Sequence, residues 1–219
     1  ELQTYNIERL KPDSKYSNRF KKQQSVKGAK ISRLIDLFKL ATEEENKDVF
    51  LNLEIKSTPI EAGLTPDPQT LVSLILKDIK EYNLENRVVI TSYDWRILYE
   101  LKKQNSNVLR GFITLQQGLS KTKKNIYEDS PWMGKKFSPD ELFLLPDTIK
   151  KLEGHVWSVF YKDVTKQNVE IAHKHGLAVT VWTVNREPDF FRMIVYVVDG
   201  IFTDYPKKIQ EICKSKNIS

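Results

Sequence analysis

From Ile31 to the C-terminal tail, short apolar runs alternate with segments whose apolar residues recur every three or four positions, and this alternation confines the chain to a narrow choice of folds. The runs are Val49 to Lys56, Val88 to Tyr93, Val108 to Thr114, Val156 to Tyr161, Ala178 to Val184 and Asp199 to Asp204. They have strand length and read as buried strands. Between them the spacing predicts helices: one through Leu34, Ile35, Leu37, Phe38 and Leu40, and one through Leu71, Leu74, Ile75, Ile79 and Tyr82, with Asp67-Pro68 as cap and first-turn pair. Further helices are expected over Trp95 to Lys103, over Lys166 to His175 with Gly176 as the stop, over Glu187 to Val195, and after Pro206. Strand followed by helix, repeated this often, means an α/β fold with a parallel sheet and covering helices. Residues 116–153, rich in Lys, Ser and Pro, read as one long loop, too long for an ordinary connection.

Nothing else in the chain competes with that reading. Its 219 residues, 40% apolar and without repeats, are enough for one domain over 1–219 with a sizeable core. The formal charge of +6 is read as solvated lysines, as at Lys207-Lys208 and Lys121 to Lys124, without the dense basic block interleaved with aromatics that nucleic acid would ask for. The single cysteine, Cys213, excludes an internal disulfide and a thiolate metal cluster. No apolar run approaches the roughly 20 residues of a membrane span, so stable membrane insertion is not expected.

The chemistry begins at Asn52-Leu53-Glu54-Ile55-Lys56. Residues two apart on a strand point the same way, so Glu54 and Lys56 project together from an otherwise apolar run. They read as a metal-binding carboxylate beside a phosphate-binding ammonium, or as an ion pair at a strand end.

That stretch, together with Thr91-Ser92-Tyr93-Asp94-Trp95-Arg96, Val156-Trp157-Ser158, His175-Gly176-Leu177, Val181-Trp182-Thr183-Val184-Asn185 and Val198-Asp199-Gly200-Ile201-Phe202-Thr203-Asp204-Tyr205-Pro206, resembles the glycerophosphodiester phosphodiesterase family of bacterial type from Glu1 to about Ile212. The order and spacing of these pieces carry the likeness. The resemblance implies a TIM-type (β/α)8 barrel that hydrolyses a glycerophosphodiester, a small molecule, to glycerol 3-phosphate and an alcohol with the help of a divalent metal, Ca or Mg. It implies Glu54 as a metal ligand, and Lys56 and Trp182 as substrate-binding residues. A hard cation prefers oxygen ligands, and with a lysine it neutralises charge building on the phosphoryl oxygens.

The resemblance also marks what the chain does not show. Family members open with a His-Arg-Gly strand, then a Glu-x-Asp strand, then a His-Asp, and none of these is present, so the family's catalytic histidines have no counterpart here. The expectation is therefore an incomplete barrel of about six strands, its first two absent, with residues 1–30 the remnant of an insertion before the helix that precedes the Glu-x-Lys strand. Such a chain is expected to turn over little or nothing. The alternative is a non-catalytic remnant that binds phosphate ligands or self-associates through its open barrel edges.

The three histidines, His155, His173 and His175, precede their strands and are assigned to the face opposite the barrel chemistry, the last two as helix-end groups. Tyr161 and Lys162 end a strand and are candidates for contact with the leaving alcohol. Ser92 and Tyr93 end another, where a hydroxyl could line the pocket. Trp182 is a substrate wall or a core aromatic, Asp204 a group hydrogen-bonded to the start of the last helix, and Trp132 with Met133 a lid or an apolar loop anchor. Val197 occupies a helix-to-strand turn where family members have Gly, so strain or a different turn is expected there. Ser32-Arg33 stands in place of the Pro-Thr that commonly opens the helix before the Glu-x-Lys strand.

Overall fold

The computed structural model describes residues 1–61, 63–104, 107–117 and 124–216. Lys121 to Lys123, and with them residues 118–123 of the expected long loop, lie outside the described residues. The chain forms two compact units, Glu1–Val49 and Phe50–Ser219.

In the first unit a short helix α1 (Lys15–Arg19) is closed by a capping box between Ser14 and Ser17, and α2 (Leu34–Ala41) follows. The start of α2 shows why Ser32-Arg33 can stand in place of Pro-Thr. The Asp36 carboxylate accepts from the Arg33 backbone N–H at 3.2 Å and from the guanidinium Nε and Nη2 at 2.9 and 2.6 Å, so one acid three residues in satisfies the exposed N-terminus.

The second unit is a six-stranded sheet, every neighbouring pair parallel, in the order β1 (Leu51–Ile55), β2 (Val88–Ser92), β3 (Leu109–Thr114), β4 (Val156–Phe160), β5 (Ala178–Trp182), β6 (Gly200–Ile201). Spatial order equals chain order, as expected when each strand is followed by a helical return to the next position. The intervening helices are α3 (Pro68–Glu81), α4 (Trp95–Lys103), α5 (Pro139–Phe143), α6 (Leu145–Lys151), α7 (Lys166–Lys174) and α8 (Glu187–Val195), with α9 (Pro206–Lys216) after β6. Asp67 caps α3 through a 3.0 Å bond from the Thr70 N–H, with Pro68 in its first turn. The expected loop over 116–153 contains a 3-10 turn at Pro131–Met133 as well as α5 and α6.

Between sheet and helices lies the core, with Trp95, Ile97, Leu98, Leu101, Phe112, Trp157, Val159, Val181, Phe190 and Met193 all but fully buried. Trp95 and Phe112 meet edge to face at 5.0 Å between centroids, and the indole N–H groups of Trp95 and Trp157 donate to Ile113 O and Thr114 Oγ1. Strand β1 breaks the pattern. Leu51 and Ile55 are buried while Asn52 and Glu54 between them are exposed, which is the signature of a strand with one face on the core and the other on open space.

Candidate functional site

That open space is a cavity of about 740 Å³. Residues from all along the sheet reach it: Glu54 from β1, Thr91 from β2, Ile113 from β3, Ser158 from β4, Trp182 from β5 and Phe202 just after β6. Side chains from the first and the last strand can meet in one cavity only if the sheet curls, and the arc this describes is that of a partial barrel. β1 and β6 each pair on one side only among the described residues.

Glu54 and Lys56 project together into the cavity and also pair with each other, Lys56 Nζ donating to Glu54 Oε1 at 3.0 Å. The ion-pair reading of the motif is met, by a pair that also faces the cavity. The side chains are 40% and 81% exposed, and a pair so open to water contributes about 1 kcal/mol at most, so either partner can be exchanged for a ligand at small cost. Asn52, two residues before Glu54 on the same face, accepts from Thr91 Oγ1 at 3.0 Å and ties β1 to β2 along the wall.

The loop after β1 is anchored by a residue whose role is not apparent from sequence. Asp94 is fully buried, accepts from Ser57 Oγ at 2.7 Å, caps α4 through Arg96 N and is gripped by the Arg96 guanidinium at 2.9 and 2.7 Å. Its charge is matched by the bidentate fork, and Ser57 is held one residue beyond Lys56.

The far wall is aromatic. Trp182 lines the cavity and donates its indole N–H to Ser158 O at 3.1 Å, which fixes the ring across the strand ends. Tyr93 and Trp132 meet edge to face at 5.1 Å, and both line the cavity. Burial holds the Tyr93 phenol above its ordinary pKa, helped by nearby Tyr127 and Asp163, so its hydroxyl stays protonated near neutrality and can bind but not act as a base. Met133 is the anchor of this turn: it is buried, and its carbonyl accepts from the Tyr99 hydroxyl at 2.8 Å. The two readings of Trp132-Met133 therefore divide between the two residues, one facing the cavity and the other the core.

A second residue missed in the sequence holds that wall together. Asn125 is fully buried, accepts from Leu115 N at 2.9 Å and donates to Ile113 O and Tyr93 O at 2.7 and 3.0 Å. All three partners belong to cavity-lining residues. An Asn in a Lys-rich stretch gives no local signal of such a role.

Other candidates fall elsewhere. Tyr161 is not on the cavity wall: its carbonyl accepts from Arg192 Nη2 at 3.1 Å, and its ring lies under that guanidinium and against Phe160. Lys162 is likewise outside it. Ser92 is buried with its hydroxyl donated to Ile55 O at 2.8 Å, and the neighbouring Thr91, not Ser92, faces the cavity. Asp204 is bound by Asn185, which donates to Asp204 Oδ2 at 2.7 Å and accepts from the Asp204 N–H at 2.9 Å. All three histidines lie at the opposite ends of the strands. His155 immediately precedes β4 and accepts from Arg110 N, His173 in the last turn of α7 pairs with Asp199, and His175 at its C-cap pairs with Asp147.

Among the described residues no three His, Cys, Asp or Glu side chains cluster as a metal would require, and Glu54 is the one carboxylate on the cavity wall. A hard divalent cation takes six or more oxygens, so this wall offers it a single acidic ligand and does not by itself amount to a metal site.

Residues 1–208 match the Glycerophosphoryl diester phosphodiesterase family. A glycerophosphodiester phosphodiesterase from Caldanaerobacter subterraneus subsp. tengcongensis is 32% identical over 182 residues, which make up 83% of this chain and 61% of that protein. Among solved structures, one described as a glycerophosphoryl diester phosphodiesterase from Silicibacter pomeroyi DSS-3 superposes with a TM-score of 0.77 at 30% identity, over 96% of this chain and 65% of that one. An Oleispira antarctica phosphodiesterase, solved in complex with the product sn-glycerol-3-phosphate, shares the fold at a TM-score of 0.60 and 17% identity, over 84% of this chain and 62% of that one. The chain thus spans a little over three fifths of the length of these proteins.

Proposed function

The chain belongs to the glycerophosphoryl diester phosphodiesterase family, and on that footing we propose that its cavity receives a glycerophosphodiester for hydrolysis to glycerol 3-phosphate and an alcohol. Lys56 sets its ammonium against the phosphoryl oxygens, where negative charge builds as water adds to phosphorus and the bond to the alcohol oxygen breaks. Trp182 flanks the bound substrate as a rigid wall. Glu54 gives one carboxylate to a divalent cation, calcium or magnesium; the described residues account for that one ligand, and no step through the ion follows from them.

The observation that carries this reading is the position of Glu54 and Lys56, side by side at the end of β1 on a cavity lined by residues of five strands and by Phe202 just after the sixth. None of the three histidines in the chain lines that cavity, and histidine is the side chain whose ordinary pKa best suits a proton shuttle near neutrality. We therefore expect the chain alone to bind the phosphoryl group far better than it turns it over.

Titration calorimetry with glycerol 3-phosphate, paired with an assay of its release from glycerophosphocholine in added calcium or magnesium, tests both parts. Lys56→Ala should weaken glycerol 3-phosphate binding by about tenfold or more, the loss of one charge-assisted hydrogen bond. Rapid turnover by the chain that survives Glu54→Ala would overturn the roles assigned here.

A second reading, in which the chain binds phosphate ligands without turnover or associates with itself, is favoured by the two strand edges, β1 and β6, that pair on one side only among the described residues.

A further inference from the structure

Residues 1–33 carry nine Lys or Arg against three Asp or Glu, whereas residues 34–219 carry 26 of each, so the whole +6 of the chain belongs to its first 33 residues. All nine basic side chains are exposed. The backbone folds back on itself and gathers them. Ile7 N donates to Ala29 O and Val26 N to Glu8 O, while Leu10 N reaches Gln23 Oε1 and Gly28 N reaches Glu8 Oε1, which lays the leg bearing Arg9 and Lys11 beside the leg bearing Lys21, Lys22, Lys27 and Lys30. Interspersed with these charges are Leu2, Tyr5, Ile7, Tyr16 and Val26, each between 49% and 66% exposed. A segment that is strongly basic and also presents exposed apolar side chains fits a surface with the opposite charge and an apolar interior.

We propose that this fold-back segment docks the chain onto an anionic lipid surface. The lysines and arginines supply attraction to the headgroups, and the exposed aliphatic and aromatic side chains enter the boundary below them. A nucleic acid would satisfy the charges, but it has no use for Leu2, Ile7 and Val26, which neither stack on bases nor contact phosphate. The inference depends on charge and exposure in the first unit alone and stands or falls apart from the phosphodiesterase reading.

Sedimentation of the whole chain with vesicles tests it. Vesicles of phosphatidylcholine with about one third phosphatidylglycerol should carry the chain down, those of phosphatidylcholine alone should not, and raising salt from about 0.1 to about 0.5 M should weaken the partition severalfold. Lys21→Glu with Lys22→Glu should lower it by about tenfold or more, while the same reversal at the exposed Lys166 and Lys174 of the second unit should change it little. Tyr16→Ser with Val26→Ser should remove most of the binding that persists at high salt. All of these side chains are exposed, and an unchanged circular dichroism spectrum checks that each variant keeps its fold. Equal sedimentation with neutral vesicles, none with anionic ones, an equal loss from the Lys166 and Lys174 reversal, or tighter binding to a DNA oligonucleotide than to the vesicles at the same salt would each overturn the proposal.

Discussion

At the scale of single residues, four helix ends solve the same problem with different side chains. α3, α6, α7 and α8 each close with paired backbone bonds, the first from a residue of positive φ to the carbonyl three before it, and those residues are Asn83, Glu153, Gly176 and Val197. At α8 the Val197 N–H donates to Ile194 O and the Val198 N–H to Met193 O, with Val197 at φ +60°. The expected strain at this turn is therefore present, because a β-branched side chain in the left-handed region crowds its own backbone by about 1–2 kcal/mol. The side chain is 65% exposed and offers little packing in return, so Val197→Gly should raise the unfolding free energy by about 1 kcal/mol, read as a higher denaturant midpoint at unchanged slope. His155 supports a pH prediction. Its Nδ1 accepts from Arg110 N, and burial first, then Arg110 and Lys150, hold its pKa below the ordinary 6.5 against an opposing pull from Glu153. Below pH 6.5 the unfolded chain then binds a proton that the folded chain refuses. The stabilising contribution of neutral His155 is present above that pH and is lost as pH falls through the window down to the folded value. The stability gap between the native chain and His155→Gln should narrow as pH drops from 8 to 5, about the range over which histidine titrates, and a constant gap in melting temperature would contradict it.

At the scale of elements, what the sequence reveals depends on length. The helices over Trp95–Lys103 and Glu187–Val195 coincide with their expected ranges, since two or more turns are enough for a 3.6-residue period to show. The strands are placed correctly but run shorter than their apolar runs, β6 keeping only Gly200–Ile201, because pairing ends before hydrophobicity does. The interval 116–153 reads as a loop because its ordered pieces, Pro131–Met133, Pro139–Phe143 and Leu145–Lys151, are too short for periodicity and are positioned by contacts far along the chain. The site divides the same way. Glu54, Lys56 and Trp182 are legible, being a charge pair at strand spacing and an aromatic at a strand end, whereas Asn125 and Asp94 act through backbone groups and neighbours that no local pattern reveals. Asn125→Ala leaves the Leu115 N–H without its acceptor and takes one donor each from the Ile113 and Tyr93 carbonyls, of which Ile113 O keeps the Trp95 indole N–H, so it should cost about 1–3 kcal/mol of stability and loosen the Tyr93 wall. Asn125→Asp keeps the acceptor for Leu115 N but removes the donor, and its melting temperature should also fall well below that of the native chain.

At the scale of the whole sheet, the arc of six parallel strands has, among the described residues, two unpaired rows of backbone donors and acceptors where a closed barrel has none. The two edges are unequal. β1 is five residues long and continuous, with exposed Val49 and Phe50 leading into it, while β6 is two residues long. Association driven by edge pairing should therefore run through β1, and the most regular contact joins β1 of one copy to β1 of another, a two-fold arrangement that reuses the same edge on both sides. Sedimentation velocity across a wide range of concentrations should show a monomer–dimer equilibrium, and a proline in β1 at a residue whose N–H faces away from β2 should abolish it, since it removes a backbone donor that an added strand would need. The same edge bears on the cavity, because Glu54 and Lys56 stand on β1 and whatever strand pairs beside it becomes the next wall of the site. Dimerisation and glycerol 3-phosphate binding should then be coupled, with ligand shifting the dimer midpoint in one direction or the other; a midpoint indifferent to saturating ligand, or a monomer at every concentration, would show that β1 is not used as an edge by a second copy.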